Sequence, residues 1–570
     1  MPDLKRLITR SDDGYVEPSE MAHGMKSPTN ALSDSAVSSK AALPQATVLP
    51  RKHGSILCAP EWQETSQLVS INRAAFAVTQ LDVQGMPLTK LRDWTRTTLL
   101  DEAARYTSSL LGTDVVRGPT EALIVTGHQP ELFHAGVWAK NFAAAGLARL
   151  HRGLALNLIV DNDTIDSTRL RVPIGPPSAP QVQRISIDAD RQAQPWEDAT
   201  IVDRASFREF GSRVSTLLRE NWSYEPLLAR CWPAAVRQSE VSNRLCDVLT
   251  AARVAIEREH GLTNLELPMS RVCETEPFRW FAAHLIAHLP RVHSLYNAAV
   301  HQYRLAHRLR NNTHPVPDLE TRDDWLEAPF WLWRAGDFHR DRPLVRRVGS
   351  ELELCDGREV LARWTQTETD SAEATVAMFG QLSRRGIRLR TRALTTTLFA
   401  RLCLADLFLH GIGGAKYDEI TDRLFEQLFH VTAPRFATVS ATFHLPLGDA
   451  SQTSGHDERR LGQQLRDLRY NPDRHIAVAP GSTNATLVDE KRELLAALGP
   501  RHPTALETRR LAQINAALAA ATASIEQQWR SERDAMQRHR AADSIRQDRE
   551  FAWCLHSQEL PQKLLAAFQV

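Results

Sequence analysis

ALIVTGHQPELFHAGVWAKNFAAAGLARLHRGLALNLIVDNDTID, residues 122–166, decides the fold class. ALIV (122–125) is a short apolar run rich in β-branched side chains, which suits a strand covered on both faces in a parallel sheet. TGHQPELFHAG interrupts it as a turn, and VWAKNFAAAGLARL reads as a helix. LALNLIV (154–160) is a second buried strand, closed by the acidic turn DNDTID. Strand, turn, helix and strand within about 40 residues make a βαβ unit, so an open α/β sheet is expected to begin here.

Upstream, residues 56–120 are mainly helical, including LRDWTRTTLLDEAARYTSSLLG with apolar residues three and four apart. Residues 1–55 are rich in Ser, Ala, Pro and Asp with few bulky apolar side chains, and are expected to be a disordered tail. Downstream, 181–345 is expected to be a mostly helical insertion, with a histidine- and aromatic-rich section ending in PFWLWRAGDFHRDRP. The α/β pattern returns over 346–450. GIRLRTRALTTTLFARLCLADLFLHGIGGAKYDEITDRLFEQLF parses as strand, helix, short apolar segment, glycine turn and helix, before the strand-like FATVSATFHL (436–445). Residues 451–545 are charged and helical, and Leu511, Ile514, Leu518, Ala521 and Ile525 form a heptad seam. With DERRLGQQLRDLRY (457–470) that seam suits an antiparallel hairpin or a homodimer contact. Residues 546–570 would return to the core.

Lys plus Arg total 69 against 68 Asp plus Glu, a net charge of +1 over 570 residues. That balance lacks the basic footprint of a nucleic-acid or anionic-membrane binder. The seven cysteines include no C-x-x-C pair and no dense disulfide framework. No run of about 18 apolar residues occurs; the most apolar helix-like stretch, Leu394 to Leu409, carries Arg401 and Asp406. No apolar signal-peptide core follows Met1. A cytoplasmic protein with a small-molecule substrate, and neither nucleic acid nor membrane as partner, is the expectation.

Several groups of residues suit chemistry. Thr126, Gly127, His128, Gln129, His134 and Lys140 surround a turn that opens a helix beyond a strand's carboxyl end, where backbone N–H groups and the helix dipole attract anions. His128 would point into the crevice, adding little to core packing; the alternative is that His128 and Gln129 only cap the helix. Asp161, Asp163 and Asp166 follow the second strand, where carboxylates hold an amine, take a proton or bind Mg²⁺ through water, or simply make a turn. Gly411, Gly413, Gly414 and Lys416, ahead of a helix expected to begin near Tyr417, suit a phosphate cradle or a plain glycine turn. His284 and His288 share a helix face at zinc-chelating spacing, but no third ligand is fixed and the H-E-x-x-H glutamate is missing. His293, His301 and His307 follow without diagnostic spacing, and Cys273 has no base nearby.

TGHQPELFHAGVWAK resembles the T-G-Q-Q-x-x-L-F-x-G-x-x-x-x-K passage of the cysteine-adding ligase family of bacillithiol biosynthesis (BshC). Thr126, Gly127, Gln129, Leu132, Phe133, Gly136 and Lys140 match it, and His128 replaces the first glutamine. VDNDTID stands where that family has V-A-S-E-D-H-D: Asp163 matches conservatively and Asp166 directly, while Thr164 and Ile165 depart. RALTTTLF resembles R-P-L-Y-Q-D through Arg392 and Leu394. IGGAKYDEITDRL resembles I-G-G-P-G-E-I-A-Y-W-A-Q-L through Ile412, Gly413, Gly414 and Leu424, with Tyr417 in place of the glutamate. QDREFAWCL corresponds to a Q-E-R segment after the helical arm, so the resemblance runs over about residues 120–555.

The resemblance implies a Rossmann-like, nucleotidyltransferase-type core with helical insertions and a C-terminal coiled-coil arm used in dimerisation. It also implies a carbon–nitrogen bond-forming ligase that adds cysteine to an amino-sugar conjugate in low-molecular-weight thiol synthesis. The altered acidic turn and glycine segment mark a divergent relative. His128, Asp163 and Asp166 would be catalytic, and Thr126, Gly127, Gln129, Lys140, Arg392, Gly413, Gly414 and Lys416 would bind substrate or phosphate. No Walker-type motif is present, so the cofactor is open, with a nucleotide such as ATP or ADP compatible and no metal assigned. Two other classes compete: a non-catalytic nucleotide- or metabolite-binding scaffold with a coiled-coil dimer, and a zinc hydrolase built on His284 and His288.

Overall fold

Alternating apolar side chains sort the central strands between two cores. Leu123, Val125, Leu156, Leu158, Leu265 and Leu267 enter one buried cluster. Ile124, Ala155, Leu407, Leu409, Ala437 and Val439 enter the other. Successive strand residues face opposite sides, so short, almost wholly apolar runs require cover on both faces. The computed structural model describes residues 50–118, 120–311, 313–449 and 455–569. It is a mixed α/β protein with several sheets. The expected tail lies outside the described residues up to 49, but Ser55 already belongs to a strand.

The main sheet has β1 (Ser55–Ala59), β2 (Leu123–His128), β3 (Leu154–Ile159), β4 (Leu265–Pro268), β5 (Leu407–His410) and β6 (Phe436–Thr442). In space they run β1–β6–β5–β2–β3–β4. All neighbours are parallel except β1, which pairs antiparallel with β6. From β2 the chain steps outward through β3 and β4, then crosses to the other side of β2 to form β5 and β6. The order therefore reverses between β2 and β5, and in an open parallel sheet such a reversal leaves a crevice outside the carboxyl ends.

α1 (Leu88–Leu111) packs on the first face, and α2 (Ala135–Leu150) on the second. α3 (Leu245–Glu259) flanks the β4 side. The stretch expected as a helical insertion, 181–345, is indeed rich in helices, but it also supplies β4 and the first two strands of a five-stranded antiparallel sheet within 321–365. LELP hides β4 from a sequence reading because Glu266 interrupts four residues. Its charge is accommodated by Arg253, 2.5 Å from Oε2, while Asn157 Nδ2 donates to Oε1 at 2.7 Å. The same Arg253 meets Glu257, which also accepts from Trp138 and Asn141 of α2, each at 2.7 Å. One buried polar network thus joins α2, α3, β3 and β4.

At the opposite, amino edge, Asp406 aligns β5 with β2. Its carboxylate accepts the Leu123 N–H at 2.9 Å, and its own N–H donates to the Leu123 carbonyl at 2.9 Å. Arg92 and Arg96 of α1 bond the other carboxylate oxygen. Asn72 donates to the carbonyls of Asp406 and Arg435 at 2.8 and 2.7 Å, tying the starts of β5 and β6.

Three further helices, α5 (Gly455–Tyr470), α6 (Thr483–Leu498) and α7 (Ala505–Arg546), pack together after α4 (Ile412–Leu428) and β6. Thr504 and Glu507 form a capping box at the start of α7. Glu458 near the start of α5 meets Arg540 near the end of α7 at 2.9 Å, so the two run antiparallel as expected. Ile514 and Leu518 are buried and Leu511 and Ile525 half-buried, but Thr522 rather than Ala521 completes the buried line. A straight helix carries its inward face by about 3.6 residues per turn, so a strict heptad drifts off the contact. Among the described residues no helix is long and apolar enough to cross a membrane.

Asp406→Ala should destabilise the protein by about 3–5 kcal/mol, because it strands the buried Arg92 guanidinium without its carboxylate. Equilibrium urea unfolding checks this; a loss below 1 kcal/mol, roughly the worth of an exposed pair, would show that the clamp is dispensable.

Candidate functional site at the carboxyl edge

β2 ends in Thr126, Gly127 and His128, one strand from β5 and one from β3. The register sets Leu409 and Asn157 beside Thr126, and Ile159 beside His128. The Thr126 hydroxyl is fully buried and donates to the Leu409 carbonyl at 2.9 Å, fastening the two strands where the order reverses. Segments 283 residues apart in sequence therefore share one edge.

His128 differs from its expected place in an open turn: it is the last residue of β2, 4% exposed, with its ring 4.5 Å from that of Phe133. Nδ1 lies 3.1 Å from the Gln129 carbonyl and must carry the proton to donate there, leaving Nε2 an acceptor. Nε2 is buried with no hydrogen-bond partner among the described residues. Burial, then the charges of Arg253 and Lys140, hold this imidazole well below its ordinary pKa, so it is neutral. Lys140 also turns inward. Its Nζ donates to the Gly127 carbonyl at 2.5 Å, and burial lowers its pKa to about 7.

Gln129 reaches outward, its Nε2 donating to Asp163 Oδ2 at 3.2 Å. Asp163 Oδ1 accepts from Arg340 at 3.2 Å, and Arg340 also donates to the Asn162 carbonyl at 2.9 Å. Arg340 and Arg392 both stack on Trp331, 4.5 and 4.3 Å from its centroid, and Arg392 pairs with buried Glu327 at 2.6 Å. Gln129, Asp163, Arg340, Trp331 and Arg392 thus form one continuous cluster. Asp166 is exposed; protein crowding, then Asp166 and Asp163, raise the nearby Glu131 carboxyl.

The glycine segment departs from its expected form. α4 begins at Ile412, not near Tyr417, so Gly413 and Gly414 are its first turn rather than a loop. A Cβ at Gly414 would stand 2.7 Å from His410 Nδ1, which explains the glycine there. Gly413 and Lys416 are exposed at this helix start. His410, the last residue of β5, lies 2.5 Å from buried Asp418, which Arg401 also pairs at 2.8 Å.

Asp161, expected with Asp163 and Asp166 in one acidic turn, is fully buried instead, among groups whose proximity no local sequence pattern marks. A cavity of about 580 Å³ beyond β3 and β4 is lined by Glu197, Arg244, Ser270, Arg388 and Arg390 among others. Asp161, directly behind it, accepts from the Ser270 N–H at 2.8 Å and hydroxyl at 2.5 Å. Burial, then the Glu197 charge, raises its carboxyl to about 7. Arg390 grips Glu197 at 2.8 Å and Glu274 at 2.8 Å, so the walls alternate in charge. The alternating arginines of GIRLRTR and the aromatic–arginine composition of PFWLWRAGDFHRDRP were the available signals. Neither specifies which residues meet across the edge.

Elsewhere, His284 and His288 lie with rings 4.6 Å apart, and His284 stacks on Phe429; burial lowers His284 to about 3. Among the described residues no three His, Cys, Asp or Glu side chains are grouped as a metal ion would need. Cys273 is buried, which raises its thiol to about 12 and suits an inert packing role.

At the carboxyl edge, then, an exposed helix start stands beside the half-buried Arg340 and the buried Arg392, while groups titrating near neutrality lie beneath. Lys140 yields a signed pH effect. Below pH 7 the amine is charged in both states and its burial penalty is complete. As pH rises towards its unfolded value near 10.4, the folded state is neutral while the unfolded chain still binds the proton, so stability rises. Lys140→Met should therefore be most stabilising at pH 7 and below, its advantage over wild type shrinking by about 1–3 kcal/mol between pH 7 and pH 9. Urea unfolding at both pH values measures this, and a pH-independent difference would place the amine in contact with solvent.

No protein-family profile matches the chain, and no curated protein matches it significantly.

Proposed function

We propose that the chain is a ligase- or transferase-like enzyme that binds a small polar, anionic metabolite at the carboxyl edge. In this reading the open sheet is a Rossmann-like core and α5–α7 a coiled-coil arm, as the resemblance to the cysteine-adding ligases implies. The observation that carries it is the meeting of separately matched segments. Thr126–Gln129, Asp163 and Gly413–Gly414 come from three stretches and stand at the ends of three adjacent strands.

Arg340, Arg392 and the open start of α4 would receive the anionic group. Gln129 would orient it, and Asp163 and Asp166 would hold an amine. Lys140 and His128 act from beneath, fixing the Gly127–Gln129 backbone rather than touching the ligand. Addition of cysteine to an amino-sugar conjugate fits the donor and acceptor types at this edge, and a nucleotide or other activated donor would supply the driving force.

Thermal-shift measurements with ATP, ADP, cysteine and a glucosaminyl-malate test the reading. A true ligand at about 100 times its Kd stabilises by about 2.7 kcal/mol. Stabilisation by the sugar conjugate should vanish in Asp163→Asn, and turnover followed by mass spectrometry should fall by about 10²-fold or more. Stabilisation without turnover in wild type would make the chain a binding protein, and no stabilisation by any of the four would overturn the proposal.

A further inference from the structure

The carboxyl edge carries a second, separate cavity of about 830 Å³ at its far side. It opens where β6 ends and β1 begins, between residues 51–53, 443–449 and the C-terminal segment. Three imidazoles line it: His53, His444 and His556. The His53 and His444 rings lie 5.6 Å apart, and the backbone N–H of His444 donates to His53 Nδ1 at 3.1 Å. An accepting Nδ1 puts the proton of a neutral imidazole on Nε2, so His53 retains a donor for a ligand. His556 is 3% exposed, and its buried Nε2 meets no hydrogen-bond partner among the described residues.

The remaining charge is unbalanced. Arg51, Lys52, Arg546 and Lys563 line the cavity against Asp449 and Glu559. Lys563 is paired with Glu559 at 3.1 Å and Arg546 with Asp543 at 2.7 Å. Arg51 and Lys52 have no carboxylate partner among the described residues. Burial, and then the neighbouring imidazoles and Lys563, lower His556 to about 3. Burial and His53 likewise lower His444. Groups that repel each other's protons in this way are relieved by an anion placed among them.

We propose that this cavity binds a phosphorylated small molecule, its phosphate held by His53, Lys52 and Arg51 and its body lying against the Leu445 and Leu560 wall. The excess of cationic side chains suits a dianion better than a single carboxylate. The volume suits a phosphate ester better than a bare ion, since small-molecule sites run to about 300–1,000 Å³. This goes beyond the proposed activity, because none of these residues belongs to the Gln129–Asp163–Arg392 cluster.

Isothermal titration of the full chain with glucose 6-phosphate, with glucose as the unphosphorylated control, tests it. Saturable binding of one glucose 6-phosphate and none of glucose is expected. The double variant R51S/K52S should weaken binding at least about tenfold, or 1.4 kcal/mol, at an unchanged melting temperature. Lys52→Arg, which keeps the charge, should retain it. Asp163→Asn should also retain it, which separates failure here from failure at the strand-end cluster. No saturable binding at millimolar ligand, equal binding of glucose, or binding untouched by R51S/K52S would each overturn the proposal.

Discussion

The Asp406 carboxylate is the interaction on which the carboxyl edge depends, although it lies at the other end of the strands. It is 2% exposed and receives the Leu123 N–H together with the guanidinium groups of Arg92 and Arg96. In a buried setting these contacts are strong only if all are made, so the arrangement is satisfied in one register. That register puts β5 beside β2, and hence His410 and the start of α4 beside Gly127 and His128. Closing so long a loop adds little entropy beyond that of a shorter one, since each doubling of length costs only about 0.6 kcal/mol. A few buried polar contacts are enough to select the partner strand.

The edge is built in two depths. Above lie Gln129, Asp163, the half-buried Arg340 and the buried Arg392, linked by hydrogen bonds and by stacking on Trp331. Beneath them His128, Lys140 and Asp161 are buried, and burial shifts each towards its neutral form. His128 and Lys140 hold the Gly127–Gln129 backbone from there. Charges that remain underneath, Arg253 with Glu257 and Glu266, are paired within one network.

The packed helices α5–α7 and the carboxyl edge are joined by the C-terminal segment. After α7 the chain crosses the start of α2, where the Trp553 N–H donates to the Phe133 carbonyl at 2.8 Å. Arg549 packs against Gly136, where any Cβ would also stand 2.7 Å from the Ala441 carbonyl and the Ser440 hydroxyl. The turn between β2 and α2 therefore has the C-terminal segment on one side and Asp163 on the other. Lys491 performs the corresponding task among α5–α7, donating to the Tyr470 carbonyl and to Asn515, each at 2.8 Å.

The sequence alone determined what periodicity and composition carry: buried strands read at 122–125 and 154–160, the first of which runs on to His128 in the structure, the helix between them, the long helix after 504 and the return of the C-terminal segment. It also showed that Thr126–Gln129, Asp163 and Gly413–Gly414 each follow an apolar run that ends abruptly, and the structure stands those runs as adjacent strands. Three things were decided only by tertiary structure. β4 was one, since Glu266 breaks its apolar pattern and is tolerated only through Arg253. The inward turn of His128 and Lys140 was another, because burial depends on the helices that cover the strand end. The last was the identity of the partners from 331–392, Trp331, Arg340 and Arg392, and of the imidazoles at the far cavity. Their proximity comes from chain crossings hundreds of residues long, and local sequence records the chemistry of a side chain but not the neighbour that a folded sheet brings to it.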